Sequence, residues 1–185
     1  EQHGNIASVG FAMYCHMLEE AIAKAQNGQS LETLPPETVM DIRVDAFIDG
    51  AYIENGGQKI EMYQRLATLN SVQELEALTD EMIDRYGTPT RPVETLLKAT
   101  AVRLQGKKLG LSNIVEKPKF LELKWQRPQD MPPLARLEPK LRRRFRTVHD
   151  APMTLCISLE AIPDTLSFLE YLFKAIDVLQ DAKGE

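Results

Sequence analysis

Residues 71–89 read SVQELEALTDEMIDRYGTP, and this stretch contains the start, the body and the end of one amphipathic helix. Ser71 and Glu74 match a capping box, in which each side chain accepts a hydrogen bond from the other residue's unpaired backbone N–H. The apolar face repeats at helical spacing and comprises Leu75, Leu78, Met82 and Tyr86. Gly87 is a suitable left-handed C-cap, and Pro89 follows two residues later. The sequence therefore predicts a helix over residues 71–86.

Similar helical patterns lie on both sides of this helix. Before it, from Gln58 to Leu69, one apolar stripe comprises Ile60, Tyr63, Leu66 and Ala67. After it, Thr90 and Pro92 can open a third helix that ends at Gly110. The apolar residues of this third helix are Val93, Leu96, Leu97, Val102 and Leu104. Three successive helices predict a helical subdomain.

Strand patterns flank the helical subdomain. Ahead of it, a strand is predicted on Val39, Met40, Ile42, Val44 and Phe47, with turns at Asp49-Gly50 and residues 55–57. Behind it, the β-rich stretches are residues 114–115, 120–125 and 153–159. In the last of these, apolar and polar side chains alternate, as in a strand with one buried face.

A last amphipathic helix is predicted from Asp164 to Asp181. Its apolar face comprises Leu166, Leu169, Phe173 and Ile176. The predicted fold class is α+β, in which the helical subdomain is followed by a small, mainly antiparallel sheet covered by the C-terminal helix.

The first residues have a separate organisation. Ser8 can cap a helix that runs to about residue 26, and the glycine- and proline-containing stretch after it shows no periodicity. We therefore expect a terminal loop and helix over residues 1–27, a linker over residues 28–38 and the main domain over residues 39–185. Because residues 1–4 resemble the end of a loop, we expect the chain to be a piece of a longer protein.

The composition is typical of a folded, water-soluble protein, with 43% hydrophobic and 26% charged residues. No apolar run approaches the roughly 20 residues that cross a bilayer, and the start lacks a signal peptide. We therefore expect a cytoplasmic protein without a membrane partner. With two cysteines, Cys15 and Cys156, and three histidines, a disulfide framework and a recognisable zinc motif are not expected.

Sequence motifs of catalytic sites are missing. Gly106-Lys107 lacks the upstream glycine of a Walker phosphate loop, and neither a Gly-x-Ser-x-Gly nor a His-Glu-x-x-His pattern occurs. The carboxylates lie at spacings that keep them on solvated helix faces. No catalytic residue, metal site or cofactor is therefore predicted for this chain.

Two charged groups could bind a partner. At about 100° per residue, Glu81, Asp84 and Arg85 share the helix face opposite the apolar stripe, and we call them the charged patch. A docking patch for a basic partner surface is one interpretation, and a solvated face with a weak internal ion pair is the alternative. Trp125 could similarly be a surface anchor, although a tryptophan at the end of an alternating strand usually belongs to the core.

The second charged group lies in a basic segment. Residues 111–149 carry ten Lys and Arg against four Asp and Glu, a net charge of +6, whereas the remainder carries −11. Within it, a basic cluster comprises Lys140, Arg142, Arg143, Arg144 and Arg146. This cluster could contact nucleic-acid phosphates, or it could be a solvated helix end that balances the acidic remainder.

Four segments in order carry a family resemblance. They are Glu1-Gln2-x-Gly4 with the helix to Ile22, Tyr63–Ala67, Glu74–Pro89 and Lys108–Leu111. Together they resemble the end of the translocase motor and the C-terminal domain of bacterial transcription-repair coupling factors, the Mfd family. In that family a Glu-Gln-x-Gly loop closes a translocation motif shared with the branch-migration helicase RecG, so the resemblance places a remnant of this motif on Gln2 and Gly4.

The resemblance implies a regulatory role. Full-length members of the family are ATP-dependent, helicase-like DNA translocases that use ATP and Mg, bind RNA polymerase and double-stranded DNA, and recruit UvrA in transcription-coupled nucleotide excision repair. Their C-terminal domain is implied to be autoinhibitory, because it docks on the UvrB-homology module of the same protein and masks the UvrA-binding site. The family's Glu-x-x-Asp-Arg docking face falls on Glu81, Asp84 and Arg85. Two alternatives remain, an accessory DNA-binding module that uses the basic cluster and a scaffold that tolerates charge reversal in the charged patch.

Overall fold

The computed structural model describes residues 38–148 and 151–181. These residues form two compact units, the first of residues 43–104 and the second of residues 38–42 together with the described residues from 105 to 181. The predicted terminal helix and most of the predicted linker lie outside the described residues, so the predicted division at residues 27 and 38 stays a prediction.

The first unit contains the three predicted helices. They are α1 (Gly56–Thr68), α2 (Val72–Tyr86) and α3 (Arg91–Lys108), the last of which belongs to this unit up to Leu104. The side-chain Oδ1 of Asn55 accepts a hydrogen bond from the Gln58 N–H at 3.1 Å. This side-chain cap lets α1 begin two residues earlier than predicted.

The start and end of α2 are set by local hydrogen bonds. The Ser71 hydroxyl accepts from the Glu74 N–H at 3.2 Å, which confirms the first half of the capping box. The Glu74 carboxylate, however, accepts from the Asn70 N–H at 2.8 Å and not from that of Ser71. At the other end, Gly87 has a φ of +84° and donates its N–H to the Ile83 carbonyl at 2.8 Å. The helix therefore ends at a glycine, which adopts a positive φ without steric strain.

The buried face of α1 differs from the predicted stripe at one position. Ile60 is 41% exposed, whereas Met62 is only 1% exposed. The other buried residues of the helix are Tyr63, Leu66 and Ala67. At 100° per residue, Ile60 lies about 90° from the middle of the buried stripe, so it lies at the edge of this face and not on it.

The strand predicted up to Phe47 is shorter in the structure, because β1 spans Val39–Asp41 only. Beyond it, alternate side chains such as Ala46 and Ile48 are still buried, which explains the strand-like pattern. Their backbone donors are satisfied elsewhere, since the Phe47 N–H donates to the Pro92 carbonyl at 3.4 Å and the Ile48 N–H to the Tyr63 hydroxyl at 2.8 Å. Burial alternates here without a partner strand, and the prediction was therefore wrong beyond Asp41.

The second unit is built on a five-stranded sheet in the order β1-β2-β3-β5-β4. The remaining strands are β2 (Leu111–Glu116), β3 (Phe120–Trp125), β4 (Phe145–Val148) and β5 (Ala151–Ser158). β1 runs parallel to β2 and the other pairs are antiparallel. The unit also contains a one-turn helix α4 (Pro139–Arg142) and the long helix α5 (Thr165–Asp181).

One face of this sheet is the core of the second unit. Its fully buried side chains are Leu111, Ile114, Leu121, Leu123, Trp125, Leu155 and Ile157. The apolar face of α5 is buried too, through Leu166, Leu169, Leu172, Phe173 and Ile176. A Cβ on Gly106 would lie 2.9 Å from Ile114 Cδ1 and 3.5 Å from Phe173 Cε2, so the end of α3, the sheet and α5 meet at that glycine. The predicted α+β class, with a mainly antiparallel sheet covered by the C-terminal helix, is confirmed.

Candidate docking site

The charged patch is held together by a carboxylate between two guanidinium groups. Arg65, on α1, donates from Nη1 to Glu81 Oε1 at 2.6 Å and from Nη2 to Glu81 Oε2 at 2.5 Å. Arg85, one helical turn after Glu81, donates to Oε1 at 3.1 Å. All three side chains are between 37% and 40% exposed. The fork-to-fork geometry fixes the position of Glu81 and leaves its partners in contact with solvent.

Glu81 and Arg85 of this network were predicted from the sequence as site residues, whereas Arg65 was not. The structure confirms that Glu81 and Arg85 lie on one face of α2 and are paired there. The prediction that this face lies opposite the apolar stripe was wrong, because Leu78 and Glu81 line the same concavity and Arg85 lies about 20° from Leu78 around the helix. Asp84 is exposed on the same face, and in the part of the chain that the structure describes its carboxylate has no hydrogen bond or ion pair. Arg65 lies on a different helix, 16 residues from Glu81, and helical periodicity cannot show which residues of two helices meet.

The two arginines hold the pKa of the Glu81 carboxyl at about 2, and the larger effect is the hydrogen bond from Arg65, followed by the one from Arg85. In the unfolded chain the pKa is about 4.3. Because the folded pKa is lowered, the pairing stabilises the fold above about pH 4.3, and this stabilisation is lost as the pH falls towards 2. We expect Glu81→Gln to be less stable than the wild type at pH 7 and to approach it at pH 2.5.

Urea unfolding followed by circular dichroism at several pH values measures this difference. Glu94→Gln is a suitable control, since Glu94 is exposed in the first turn of α3 and has no ion pair in the described part of the chain. A difference between wild type and Glu81→Gln that does not change between pH 7 and 2.5 would contradict the ion-pair geometry.

Next to the ion pairs lies a concavity of about 290 Å³ between the facing surfaces of α1 and α2. Its lining consists of Arg65, Thr68, Leu69, Glu74, Ala77, Leu78 and Glu81. Apolar side chains and ion pairs therefore line the same cavity, which combines an apolar surface with charged hydrogen-bonding groups. A single side chain from a partner could insert there while its polar groups contact the rim.

Two aromatic rings lie beside Arg85 of the charged patch. The Arg85 guanidinium carbon lies 5.1 Å from the centroid of the Tyr86 ring, within the range of a cation–π contact. The Tyr86 ring in turn lies 5.8 Å from that of Tyr52, tilted by 58°. Burial, and secondarily Tyr86, raises the pKa of the Tyr52 hydroxyl. These contacts restrict the orientation of the Arg85 side chain.

The basic cluster is divided by the fold. Lys140 and Arg142 lie exposed on α4, whereas Arg146 lies on the edge strand β4, which sequence analysis did not predict. Arg144 Nη1 donates to the Ser158 carbonyl at 3.3 Å and to the Glu160 carbonyl at 2.7 Å. β4 was missed because its four residues alternate poorly and form a strand only through pairing with β5.

The remaining predictions concern the translocation motif, Trp125, metal binding and membrane insertion. Gln2 and Gly4 lie outside the described residues, so the translocation-motif remnant stays a prediction. Trp125 is fully buried and belongs to the core, not to a surface anchor. Among residues 38–148 and 151–181, no His, Cys, Asp and Glu side chains cluster as a metal site would require. Within the same residues, no helix has the length and apolarity to span a bilayer.

Comparison with a protein-family model identifies similarity to the TRCF domain over residues 42–135. The transcription-repair-coupling factor of Bacillus subtilis (strain 168) is 41% identical over 104 residues, which cover 56% of this chain and 9% of that protein. The corresponding protein of Staphylococcus haemolyticus (strain JCSC1435) is 35% identical over 123 residues, covering 66% of this chain and 10% of that protein. The chain thus spans about a tenth of the length of these relatives.

A solved structure has a similar fold. The crystal structure of the C-terminal domain of a transcription-repair coupling factor aligns with a TM-score of 0.63 over 79% of this chain and 93% of that chain. Its sequence identity is 16%, so this comparison concerns the fold alone.

Proposed function

Because the chain belongs to the TRCF domain family, we propose that it is the autoinhibitory regulatory domain of an ATP-dependent DNA translocase in transcription-coupled nucleotide excision repair. The domain docks on the UvrB-homology module of the same polypeptide and so masks the site that binds UvrA. Contacts with RNA polymerase, translocation on double-stranded DNA and the use of ATP and Mg are functions of the full-length protein.

The observation that supports this proposal is the Arg65–Glu81–Arg85 network beside the concavity of α1 and α2. Surface ion pairs usually contribute little to stability or binding, because two mobile side chains must be fixed in one geometry. Here a bidentate contact and an aromatic ring already fix them. When a partner binds this surface, the side chains of the network therefore lose little further conformational entropy, as expected of a docking site.

The network also determines which carboxylate is available to contact the partner. From the sequence, Glu81, Asp84 and Arg85 together were predicted to dock on a basic surface. Glu81 already accepts three hydrogen bonds within the domain, whereas Asp84 accepts none in the described part of the chain. Asp84 is thus the carboxylate that contacts a basic group of the partner, and Glu81 is a positioning residue that orients Arg65 and Arg85.

Docking within one polypeptide does not need strong contacts. A surface held on the same polypeptide has a high effective concentration, so a few charged contacts can keep the UvrA site closed. A modest change elsewhere in the protein can then shift the equilibrium to an open state. The isolated domain is accordingly expected to bind the UvrB-homology module weakly.

UvrA binding by the longer protein tests the proposal. In the absence of DNA and ATP, we expect the triple variant Glu81→Ala, Asp84→Ala, Arg85→Ala to bind UvrA at least about tenfold more tightly than the wild type, or about 1.4 kcal/mol. The reason is that the substitutions remove contacts made only in the closed state. Isothermal titration calorimetry with purified UvrA provides the affinities.

A matched control is the triple variant Glu54→Ala, Arg91→Ala, Glu94→Ala. It removes two carboxylates and one guanidinium from exposed positions outside the charged patch and the adjacent concavity, so the change in net charge is the same. We expect this control to bind UvrA like the wild type. Equal affinity of the wild type and the charged-patch variant, with both folded by circular dichroism, would refute docking through this face.

A further inference from the structure

The fold of the second unit builds a basic concavity from residues that are distant in sequence. Lys119 lies in the turn between β2 and β3, which is closed by the hydrogen bond from the Lys117 N–H to the Phe120 carbonyl at 2.8 Å. Pairing of β3, β5 and β4 places Phe120 opposite Ser158 and Cys156 opposite Arg146. The resulting concavity has a volume of about 330 Å³.

The charge of this concavity is strongly one-sided. Four of its lining residues are cations, namely Lys119, Arg143, Arg144 and Arg146. In the described part of the chain none of them forms an ion pair with a carboxylate. Glu122 lies opposite Cys156 on the same sheet face and supplies negative charge, but it does not line the concavity. Positive charge therefore exceeds negative charge around this site.

One of the cations is held in a fixed orientation. Arg144 Nη1 donates to the carbonyl oxygens of Ser158 and Glu160, and the Ser158 N–H donates back to the Arg144 carbonyl at 3.0 Å. Its Nε and Nη2 donors have no partner in the described part of the chain. A guanidinium fixed by one nitrogen presents its other N–H groups in the fork geometry that suits a phosphate.

The composition of the lining distinguishes between classes of partner. The centres of protein–protein interfaces are depleted of charged residues and rich in apolar contacts. Interfaces with nucleic acids are more polar and much more positively charged. Here Phe120 and Cys156 are the apolar residue types of the lining, and both are only partly buried. Phe120 is also the single aromatic ring of the lining, whereas sites for single strands stack successive bases on several aromatic rings.

We infer that this basic concavity, formed by Lys119, Arg143, Arg144 and Arg146, is a sequence-independent binding site for the phosphodiester backbone of duplex DNA. Its residues belong to the second compact unit, whereas those of the charged patch belong to the first. The site differs from the predicted basic cluster, since it includes Lys119 and excludes Lys140 and Arg142.

Fluorescence anisotropy of the 185-residue chain with a labelled DNA duplex of about 20 base pairs, at salt concentrations of about 50 to 200 mM, tests the inference. We expect the variant Arg143→Gln, Arg146→Gln to bind at least about tenfold more weakly at the lower salt concentration. Each lost phosphate contact lowers the slope of log Kd against log salt by about one, so this slope should fall by about two.

The matched control is Arg136→Gln, Lys174→Gln, which removes two exposed cations that do not line the concavity. It should keep the wild-type slope. An equal loss of affinity and slope in both variants would show that net charge alone attracts the duplex, and the inference would be wrong. Undetectable binding of the wild type, or tighter binding to polyglutamate or to a single strand than to the duplex, would also overturn it. Circular dichroism of both variants checks that loss of binding is not loss of fold.

Discussion

Replacing Trp125 with alanine is expected to lower the free energy of unfolding by about 3 to 5 kcal/mol, the range for a large aromatic side chain removed from a core. Trp125 is fully buried at the end of β3, where it pairs with Leu111 of β2. Alanine at this position leaves a cavity on the face of the sheet that carries the core. The loss of stability is large because hydrogen bonds between neighbouring strands hold the sheet in place, so the strands can close the cavity only in part.

Urea unfolding followed by far-ultraviolet circular dichroism measures the change, since Trp125 is the single tryptophan and its fluorescence is lost in the variant. Trp125→Phe is the informative control. It retains an aromatic ring and removes an indole N–H that is buried without a hydrogen-bond partner. We expect this variant to lose far less stability than the alanine variant. A loss below about 1 kcal/mol for Trp125→Ala would mean that the indole is not a core residue.

Replacing Arg103 with methionine is expected to lower the free energy of unfolding by about 2 to 3 kcal/mol. This is the cost of leaving buried carbonyl groups without a charged hydrogen-bond donor. Arg103 lies on α3 and is fully buried. Its Nη2 donates to the carbonyl oxygens of Leu66 at 3.3 Å and of Leu69 at 3.4 Å, at the C-terminal end of α1. These carbonyls belong to the last turn of a helix, where no partner within the helix is available.

The variant should also loosen the end of α1. Since Arg65 lies in that last turn, we expect faster amide hydrogen exchange at residues 65–68 than in the wild type, with α2 much less affected. Arg103→Lys is the matched control, because one ammonium group keeps the charge but cannot reproduce the fork of the guanidinium. An intermediate stability is expected for it. If Arg103→Met were as stable as the wild type, the carbonyl contacts would not stabilise the fold, as occurs when apolar packing replaces a buried charge.

These two variants separate stability from docking. Neither residue belongs to the charged patch, and both substitutions act through burial, so they should lower stability without a direct contact to a partner. The charged-patch variant acts at residues that are 37% to 40% exposed or lie on the same exposed face. Because the loss of Glu81 also lowers stability at pH 7, a change in UvrA affinity in that variant reports on docking when circular dichroism shows that the variant is folded.

Much of the helical unit follows from the sequence by itself. Ser71 and Gly87 mark the ends of α2 because a cap is a hydrogen bond between neighbours in the chain. Leu75, Leu78 and Met82 are buried, and Glu81, Asp84 and Arg85 share a face, because 3.6 residues per turn fixes both sets. The family resemblance, two of whose four segments lie in this unit, is confirmed by the match to the TRCF domain.

The tertiary structure decided everything that depends on a distant partner. It brought Arg65 to Glu81 from another helix, left residues 42–48 outside any strand, and formed β4 by pairing it with β5. It also divided the basic cluster and added Lys119 to one part of it. The physical reason is the range of the interactions. Caps and helical faces join residues within about four positions. Ion pairs between helices and strand pairings depend instead on how whole elements pack, which local sequence patterns do not encode.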